Sequence, residues 1–343
     1  MTLTELLGMT LPVIQAPMAG VQGSAMAVAV SNAGGLGSLP CAMLSPQALR
    51  SELSVIREQT SRAYNVNFFC HTMPAPDASR EATWRAALAP YYAEFGLDLA
   101  GVPTGAGRVS FGEEAADVLQ DFKPAVVSFH FGLPSAALMA RVRSWGSTIM
   151  SSATTVQEAR WLEAHGADAI IAQGLEAGGH RGMFLSDDVS TQLGTLALLP
   201  QILRAVRVPV IAAGGVADAA GVAAMLSLGA AAVQVGTAYL LCAEATTSAP
   251  HRIALQSDAA AHTALTNVFT GRPARGIMNR VMRELGPLST ATPEFPLATA
   301  AMAPLRAACE KLGSGDFSPL WAGQNASGCR NIGAADMTRL LAP

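Results

Sequence analysis

Residues 169–184 read Ala-Ile-Ile-Ala-Gln-Gly-Leu-Glu-Ala-Gly-Gly-His-Arg-Gly-Met-Phe. The first four residues form a short apolar run that is typical of a buried strand. The loop that follows contains four glycines within nine residues, which leave the backbone free to adopt positive φ or to approach a ligand closely. His180 stands in this loop, and a histidine can carry a proton near neutral pH. A strand that ends in a ligand-binding loop is the prediction, and a flexible loop with a solvated histidine is the alternative.

Seven more apolar runs, separated by helix-length segments, flank this stretch, at residues 12–18, 35–39, 64–70, 125–131, 148–152, 209–213 and 232–236. Strands that are apolar throughout and alternate with helices indicate a parallel sheet covered on both faces. Eight such units favour an α/β fold of the (β/α)8 TIM-barrel type. A Rossmann sheet is disfavoured because no G-x-G-x-x-G motif opens a helix after the first strand.

Several helix starts carry local signals. Ser45 precedes Pro46, the order expected for an N-cap followed by the first helical residue. Thr154 or Thr155 is predicted to cap the helix at 155–164, with Glu158 in its first turns. Residues 24–32 and 79–95 also have helical character.

Two segments do not fit the simple alternation of strands and helices. Residues 71–124 are too many for one connection after the third strand, and no further strand run is visible beyond residue 245. We therefore predict a barrel domain at 1–245, with an insertion at 71–124, and a helical lid on the substrate side at 246–343. Long insertions of this kind are often functional.

The composition restricts the class of partner. Half of the 343 residues are hydrophobic, and 22 basic residues stand against 25 acidic ones without a basic block. This balance argues against nucleic acid or an anionic membrane and favours a small-molecule ligand. Residues 219–245 are nearly uncharged but are better explained by an alanine-rich helix and a strand than by a membrane span. Five scattered cysteines suggest a reducing, cytoplasmic compartment, with no disulfide framework and no metal site.

Glycine turns follow the last two predicted strands, at Gly214-Gly215 and at Gly236-Thr237. Backbone N–H groups at such turns, beside a helix start, form a site that favours phosphate. In TIM barrels the phosphate site commonly lies in these two loops. Tight turns that need glycine only for steric reasons are the alternative.

Three carboxamide side chains, Asn67, Gln173 and Gln234, lie near the ends of apolar predicted strands. Buried carboxamides need partners, and each of them offers both donors and acceptors. A planar ring with alternating N–H and C=O groups would satisfy them. A phosphate together with such a ring describes FMN, although an adenosine-bearing flavin stays open at this point.

Seven segments, among them NAGGLGSL at 32–39, resemble the nitronate monooxygenase family, formerly called 2-nitropropane dioxygenases. The resemblance extends in order over nearly the whole chain, and EAGGHRG is its most specific part. The main segments are PVIQAPMAG at 12–20, NVNFF at 65–69, QGLEAGGHRG at 173–182, AAGGVAD at 212–218, QVGTAYLL at 234–241 and GDFSPLWAGQ at 315–324.

The resemblance implies an FMN enzyme that oxidises alkyl nitronates with O2 to a carbonyl compound and nitrite. It implies that His180 is the catalytic histidine beside the flavin, either as a base toward a weakly acidic C–H or, when protonated, as an acid that binds the anion. The implied FMN-binding residues are Met18, Asn67, Gln173, Gly178, Gly215, Gln234, Val235, Gly236 and Thr237.

The remaining charged candidates are less specific. Lys311 could reach a substrate anion from the lid or could be a solvated lysine, and Asn267, Arg272 and Arg275 are similarly placed. Glu176 and Arg181 are interpreted as an ion pair that braces the histidine loop. Among the other histidines, His165 is expected to cap a helix C-terminus, His71, His251 and His262 to lie on the surface or in the lid, and His130 to be a possible pocket residue.

Two other functions stay open. The first is a flavin-dependent enoyl-ACP reductase, which would need NAD(P)H and a basic surface for the acyl carrier. The insertion at 71–124 has few Arg and Lys residues and gives this function little support. The second is a barrel that binds a phosphate-bearing ligand without catalysis. The oligomeric state is not predicted.

Overall fold

A computed structural model of the chain describes residues 2–102 and 108–343. The strands in these residues are β1 Val13–Gln15, β2 Gly37–Pro40, β3 Tyr64–Phe69, β4 Val126–His130, β5 Thr148–Ala153, β6 Ala169–Gln173, β7 Gly179–His180, β8 Val210–Ala213, β9 Ala232–Val235, β10 Thr263–Thr266 and β11 Ala274–Ile277. Eight of them form one sheet in the order β1-β9-β8-β6-β5-β4-β3-β2, and all its neighbouring pairs are parallel. Ile14 also bridges Leu36 beside β2, so the sheet closes on itself. The predicted (β/α)8 barrel is confirmed.

Helices cover the outside of the barrel and form the segments beyond it. Within residues 2–102 and 108–343, no helix is both long and apolar enough to cross a membrane. The helices are α1 Leu3–Leu6, α2 Ser24–Asn32, α3 Pro46–Gln59, α4 Ala78–Glu94, α5 Glu113–Phe122, α6 Ala136–Ser144, α7 Val156–Ala164, α8 Thr195–Ala205, α9 Ala219–Ser227, α10 Ala249–Leu255, α11 Arg280–Glu284, α12 Ala298–Lys311 and α13 Ala334–Leu341, with short 3-10 turns at Val189–Thr191, Thr237–Leu241 and Asp258–Ala261.

The predicted helix caps are present. The Ser45 hydroxyl accepts a hydrogen bond from the Ala48 N–H, and Pro46 opens α3. The Thr155 hydroxyl accepts from the Glu158 N–H at the start of α7. Each cap satisfies one N–H that would otherwise have no partner, an effect of about 1 kcal/mol.

Both faces of the barrel strands are buried, which explains their continuous apolar sequence. The consecutive residues Ile149 and Met150 of β5 are fully buried but pack in different clusters. Ile149 lies in the cluster with Val142 of α6, whereas Met150 lies in the cluster with Leu7, which packs with the barrel interior. Full burial of such a side chain stabilises the folded state by roughly 1.5–3 kcal/mol relative to leaving it exposed.

The insertion after β3 and the C-terminal segment pack against each other. The Tyr92 hydroxyl of α4 donates to the Ala301 carbonyl of α12 at 2.6 Å, and Trp84 Nε1 donates to the Ala298 carbonyl at 3.4 Å. Both aromatic side chains share a buried cluster with Phe317. One hydrophobic cap is therefore built from two segments that are distant in sequence.

The expectation of no strand beyond residue 245 is wrong. Strands β10 and β11 form an antiparallel pair, and β11 also pairs with β7, where Ala274 is the partner of His180. Each of these strands has only four residues, TALT and ARGI, so neither has an apolar run. The lid is consequently a mixture of helices and a small sheet, and this sheet holds the histidine loop.

The end of the chain returns to the barrel wall. Helix α13 packs against α2, and its residues Ala334 and Met337 share a buried cluster with Val13 of β1. The Tyr239 and Thr338 hydroxyls are 2.9 Å apart and hydrogen-bonded. The C-terminal segment therefore contributes both to the cap and to the outer layer of the barrel.

Candidate active site

A cavity opens at the carboxyl ends of the barrel strands and holds about 1320 Å³ of space, its mouth included. A concave cleft with a few convergent polar groups is the usual form of a small-molecule site. The structure brings together in this one wall the residues Met18, Asn67, Gln173, Gly178, His180, Gly215, Gln234, Val235, Gly236 and Thr237.

Two loops form an anion cradle on one side of the cavity. Gly214 and Gly215 follow β8 with φ of 120° and 75°, a region that favours glycine. Gly236 follows β9 and precedes the 3-10 turn that begins at Thr237. The backbone N–H groups of Gly215, Gly236 and Thr237 donate no hydrogen bond to any described residue. Free N–H groups in glycine turns of this kind can bind a phosphate or another oxyanion.

The C-terminal tail is hydrogen-bonded to both loops of this cradle. The Gly323 N–H donates to the Thr237 hydroxyl at 2.9 Å, and Asn325 Nδ2 donates to the Gly215 carbonyl at 3.0 Å. Both tail residues line the cavity, as does Trp321. Sequence reasoning did not select them, although Trp321 and Gly323 lie in the segment 315–324 that carries part of the resemblance; Asn325 lies one residue beyond it.

The three predicted carboxamide side chains differ in their hydrogen bonding. Gln173 is bonded within the histidine loop, because Nε2 donates to the His180 carbonyl at 3.0 Å and Oε1 accepts from the Gly182 N–H at 2.7 Å. Asn67 Nδ2 donates to the Ser128 hydroxyl at 2.9 Å. Gln234 Oε1 is buried and has no partner among the described residues. An unpaired buried acceptor in a cavity wall is a place where a ligand donor would bind.

His180 is held by strand pairing and enclosed by aromatic rings. Its backbone is in β7, which pairs with β11 of the lid. The imidazole lies 5.3 Å from the ring of Phe295, 5.6 Å from Trp321, 6.0 Å from Phe69 and 6.1 Å from Phe131, measured between ring centroids. These walls limit the access of water to the ring.

The surroundings keep the His180 imidazole neutral. Burial lowers its pKa well below the usual value of 6.5, and the positive charge of Arg108 lowers this pKa further. The Thr270 hydroxyl donates to the Arg272 carbonyl at 3.4 Å, so it accepts the Nε2–H of His180 at 3.0 Å. This network assigns the proton to Nε2. Nδ1 then has a free lone pair, with no partner among the described residues.

His130 is hydrogen-bonded to the backbone of His180. Its Nε2–H donates to the His180 carbonyl at 3.1 Å, and Nδ1 accepts from the Ser152 hydroxyl at 3.1 Å. Burial lowers the pKa of His130 to about 3, so this ring is neutral as well. The His180 carbonyl therefore accepts hydrogen bonds from both His130 and Gln173. His130 lines the cavity, as considered possible from its position at a strand end.

Comparison with known proteins decides the family. A family model described as nitronate monooxygenase matches residues 1–341. The chain belongs to the nitronate monooxygenase family. It is 42% identical to a nitronate monooxygenase of Pseudomonas aeruginosa, over 98% of this chain and 97% of that protein. It is 43% identical to a nitronate monooxygenase of Paraburkholderia phytofirmans, over 99% and 93% of the two chains.

Solved structures show the same relationship. A nitroalkane oxidase from Streptomyces ansochromogenes superposes with a TM-score of 0.89 at 39% identity, over 99% of this chain and 96% of that one. FabK from Thermotoga maritima superposes with a TM-score of 0.73 at 26% identity, over 99% and 94%. The chain is therefore an oxidoreductase of the nitronate monooxygenase kind.

Lys311, Glu176 and Arg181 lie in three different environments in the structure. Lys311 is exposed at the end of α12 and is not among the described residues that line the cavity. Glu176 and Arg181 do not form an ion pair in the described part of the chain, which corrects the interpretation of a charge brace. Glu176 instead accepts from the N–H and hydroxyl of Thr195 at the start of α8, where a carboxylate is favourable. Arg181 is fully buried and donates to the Gln173 carbonyl.

The other histidines of the enzyme are only partly where they were expected. His165 caps α7 as predicted, and its Nδ1 donates to the Trp161 carbonyl at 2.7 Å. His262 is exposed in the lid. His71 is buried rather than on the surface, whereas His251 is buried within the segment predicted as the lid and also lines the cavity.

These two buried histidines predict a loss of stability in mild acid. Burial lowers the pKa of His71 and of His251 to about 4, whereas an unfolded histidine titrates near 6.5. As the pH falls below 6.5, the unfolded state takes up protons first, so stability present at pH 7 is lost toward pH 4. Between pH 7 and pH 5 we expect a loss of about 2 kcal/mol per residue in the free energy of unfolding.

Urea unfolding at pH 7 and pH 5 measures this loss. His251→Asn should reduce the difference between the two pH values by about one histidine's share, again about 2 kcal/mol. The exposed His262→Asn is the matched control and should leave the difference unchanged. An equal reduction in both variants would contradict the assignment to the buried ring.

Proposed function

We propose that the chain catalyses the FMN-dependent oxidation of alkyl nitronates by O2, with release of a carbonyl compound and nitrite. Membership of the nitronate monooxygenase family supports the substrate class. The observation that carries the assignment of roles is that a neutral histidine with an unpaired Nδ1 shares a cavity with an anion cradle. The partners in this proposal are small molecules only.

The described residues fit FMN. The free N–H groups of Gly215 and Gly236 suit its phosphate, and the unpaired Gln234 Oε1 suits a ring N–H. Met18 and Val235 add apolar surface to the same wall. When bound, FMN would supply the electron transfer and the reaction with O2, while the protein provides binding and orientation.

His180 acts as a base in this proposal. Because its pKa is far below neutral, the ring is uncharged at pH 7 and favours proton abstraction over anion binding by an imidazolium. With Nε2–H bound to Thr270, Nδ1 would accept the α-proton of a neutral nitroalkane. A nitronate has already lost this proton, so its oxidation does not need the base. The hydrogen bonds from His130 and Gln173 to the His180 carbonyl keep the ring in place.

Three measurements on the purified protein test the proposal. The absorption spectrum should show bound flavin, and extraction should release FMN. With an alkyl nitronate, O2 uptake should be accompanied by release of nitrite. Protein that is colourless and takes up no FMN would reject the flavin assignment and would favour a barrel that binds a phosphate-bearing ligand without flavin.

A flavin-dependent enoyl-ACP reductase is the alternative function. It is separated by following NADPH oxidation with crotonyl thioester as the acceptor. Rapid NADPH turnover without nitrite release from nitronates would replace the proposed function with this one. We expect nitrite release and slow NADPH oxidation.

A further inference from the structure

Arg108 is a cation in the cavity wall that the proposed chemistry does not yet use. It lies in the insertion and lines the same cavity as His180. Nη1 donates to the Thr299 hydroxyl at 3.2 Å, and the guanidinium lies 5.6 Å from the centroid of the Phe295 ring. Nε is buried and has no partner among the described residues. The guanidinium thus retains unused donors at a place where a ligand can approach.

Arg108 has no acidic partner among the described residues. It forms no ion pair within the described residues, and residues 103–107, which precede it, are Pro-Thr-Gly-Ala-Gly and contain no acid. Its pKa is lowered to about 10 by burial alone, with no carboxylate acting in the opposite direction. A buried charge without a partner is costly, and a ligand that supplies the opposite charge removes this cost.

Two other arginines near the site, the buried Arg181 and the half-buried Arg272, differ from Arg108 in their electrostatic surroundings. Arg272 feels the negative charges of Asp187 and Glu158, and Arg181 feels those of Glu176 and Glu158. Neither of these arginines is among the described residues that line the cavity. Arg108 alone among these three combines a place in the wall with the lack of a nearby carboxylate.

We infer that Arg108 binds the negatively charged oxygens of the substrate and makes the enzyme selective for anionic over neutral substrates. This inference rests on the proposed function, because it assigns the charge to the nitronate head group or to a second acid group on the same molecule. The guanidinium fork matches two oxygens of a planar oxyanion. The neutral His180 cannot supply this positive charge, so the two residues have separate tasks, proton removal and anion binding.

The test compares the variants Arg108→Gln and Arg108→Lys with the wild type. Arg108→Gln should reduce kcat/KM for a nitronate by roughly 10- to 150-fold, the usual effect of losing a hydrogen bond to a charged group. The loss should lie mainly in KM. The neutral parent nitroalkane should be little affected, and Arg108→Lys should recover part of the activity because it keeps the charge. Unfolding midpoints of both variants show whether the fold is intact.

Two nitronates distinguish the source of the charge. An alkyl nitronate without another acid group tests whether Arg108 binds the nitronate oxygens. A nitronate with a terminal carboxylate tests whether Arg108 binds that carboxylate. A loss with both substrates supports binding of the nitronate oxygens, and a loss with the second alone supports binding of the carboxylate. Equal kinetics of the wild type and Arg108→Gln with both substrates would overturn the inference.

Nitrate, an unreactive planar oxyanion, separates this inference from the proposed function. Titrations followed by flavin absorbance and thermal shift should show binding to the wild type that is at least about tenfold weaker in Arg108→Gln. If the wild type oxidises no nitronate but binds nitrate through Arg108, the proposed function fails and the anion site stands. If neither turnover nor nitrate binding depends on Arg108, the anion site is rejected.

Discussion

Replacement of His180 by asparagine is expected to reduce kcat/KM for neutral nitroalkanes by roughly 10²- to 10⁴-fold, the usual contribution of a positioned general base. An asparagine amide can still form a hydrogen bond with Thr270, but it cannot accept a proton. Preformed nitronates should lose much less activity, because no proton has to be removed from them. Steady-state kinetics with the neutral and the nitronate form of one alkyl chain measure both losses.

The exposed His262→Asn is the matched control for this change, and it should behave like the wild type with both forms. The flavin absorbance of His180→Asn should remain, since the anion cradle lies on other loops. Equal losses with the nitroalkane and the nitronate would show that His180 does not act as a base. Unchanged kinetics with both forms would remove His180 from the mechanism.

The barrel strands could be predicted because burial on both faces leaves a continuous apolar run in the sequence. Strand β6, for example, was expected at 169–172 and spans Ala169–Gln173. Local signals also sufficed for the caps at Ser45 and Thr155, since each depends on residues within three positions. The positions of the cradle and of the carboxamides could then be predicted from the fold, because in a barrel the loops after the strands meet at one end.

Other features depend on contacts between segments that are distant in sequence. Strand β11 exists because it pairs with His180 and with β10, and four residues with mixed polarity carry no local signal for this pairing. Asn325 reaches the Gly215 carbonyl only because the tail returns across the barrel mouth. Arg108 contacts Thr299 only because the insertion packs against α12. Hydrophobic periodicity and short sequence motifs cannot predict these contacts, because the two residues in each contact are far apart in sequence.

The tail contact makes a strong prediction for Gly178→Ala. A Cβ atom at this position would lie 2.6 Å from the Gly323 nitrogen and 2.7 Å from the Ala322 carbonyl carbon, both of which are backbone atoms. The tail would have to move away, and the hydrogen bond from the Gly323 N–H to the Thr237 hydroxyl would be lost. Overpacking costs roughly 1–3 kcal/mol, which corresponds to FMN binding weakened by about 5- to 150-fold.

Fluorescence titration of the apoprotein with FMN measures this effect, and the choice of control isolates its cause. Gly96 has positive φ, but a Cβ atom added there would have no described neighbour within 4 Å, so Gly96→Ala strains the backbone without crowding a neighbour. It should destabilise the fold by roughly 1 kcal/mol and leave FMN affinity unchanged. Gly178→Ala should act mainly on affinity, because Gly323 of the displaced segment is hydrogen-bonded to Thr237 of the cradle. If both variants bind FMN as the wild type does, the tail does not hold the anion cradle in its binding geometry.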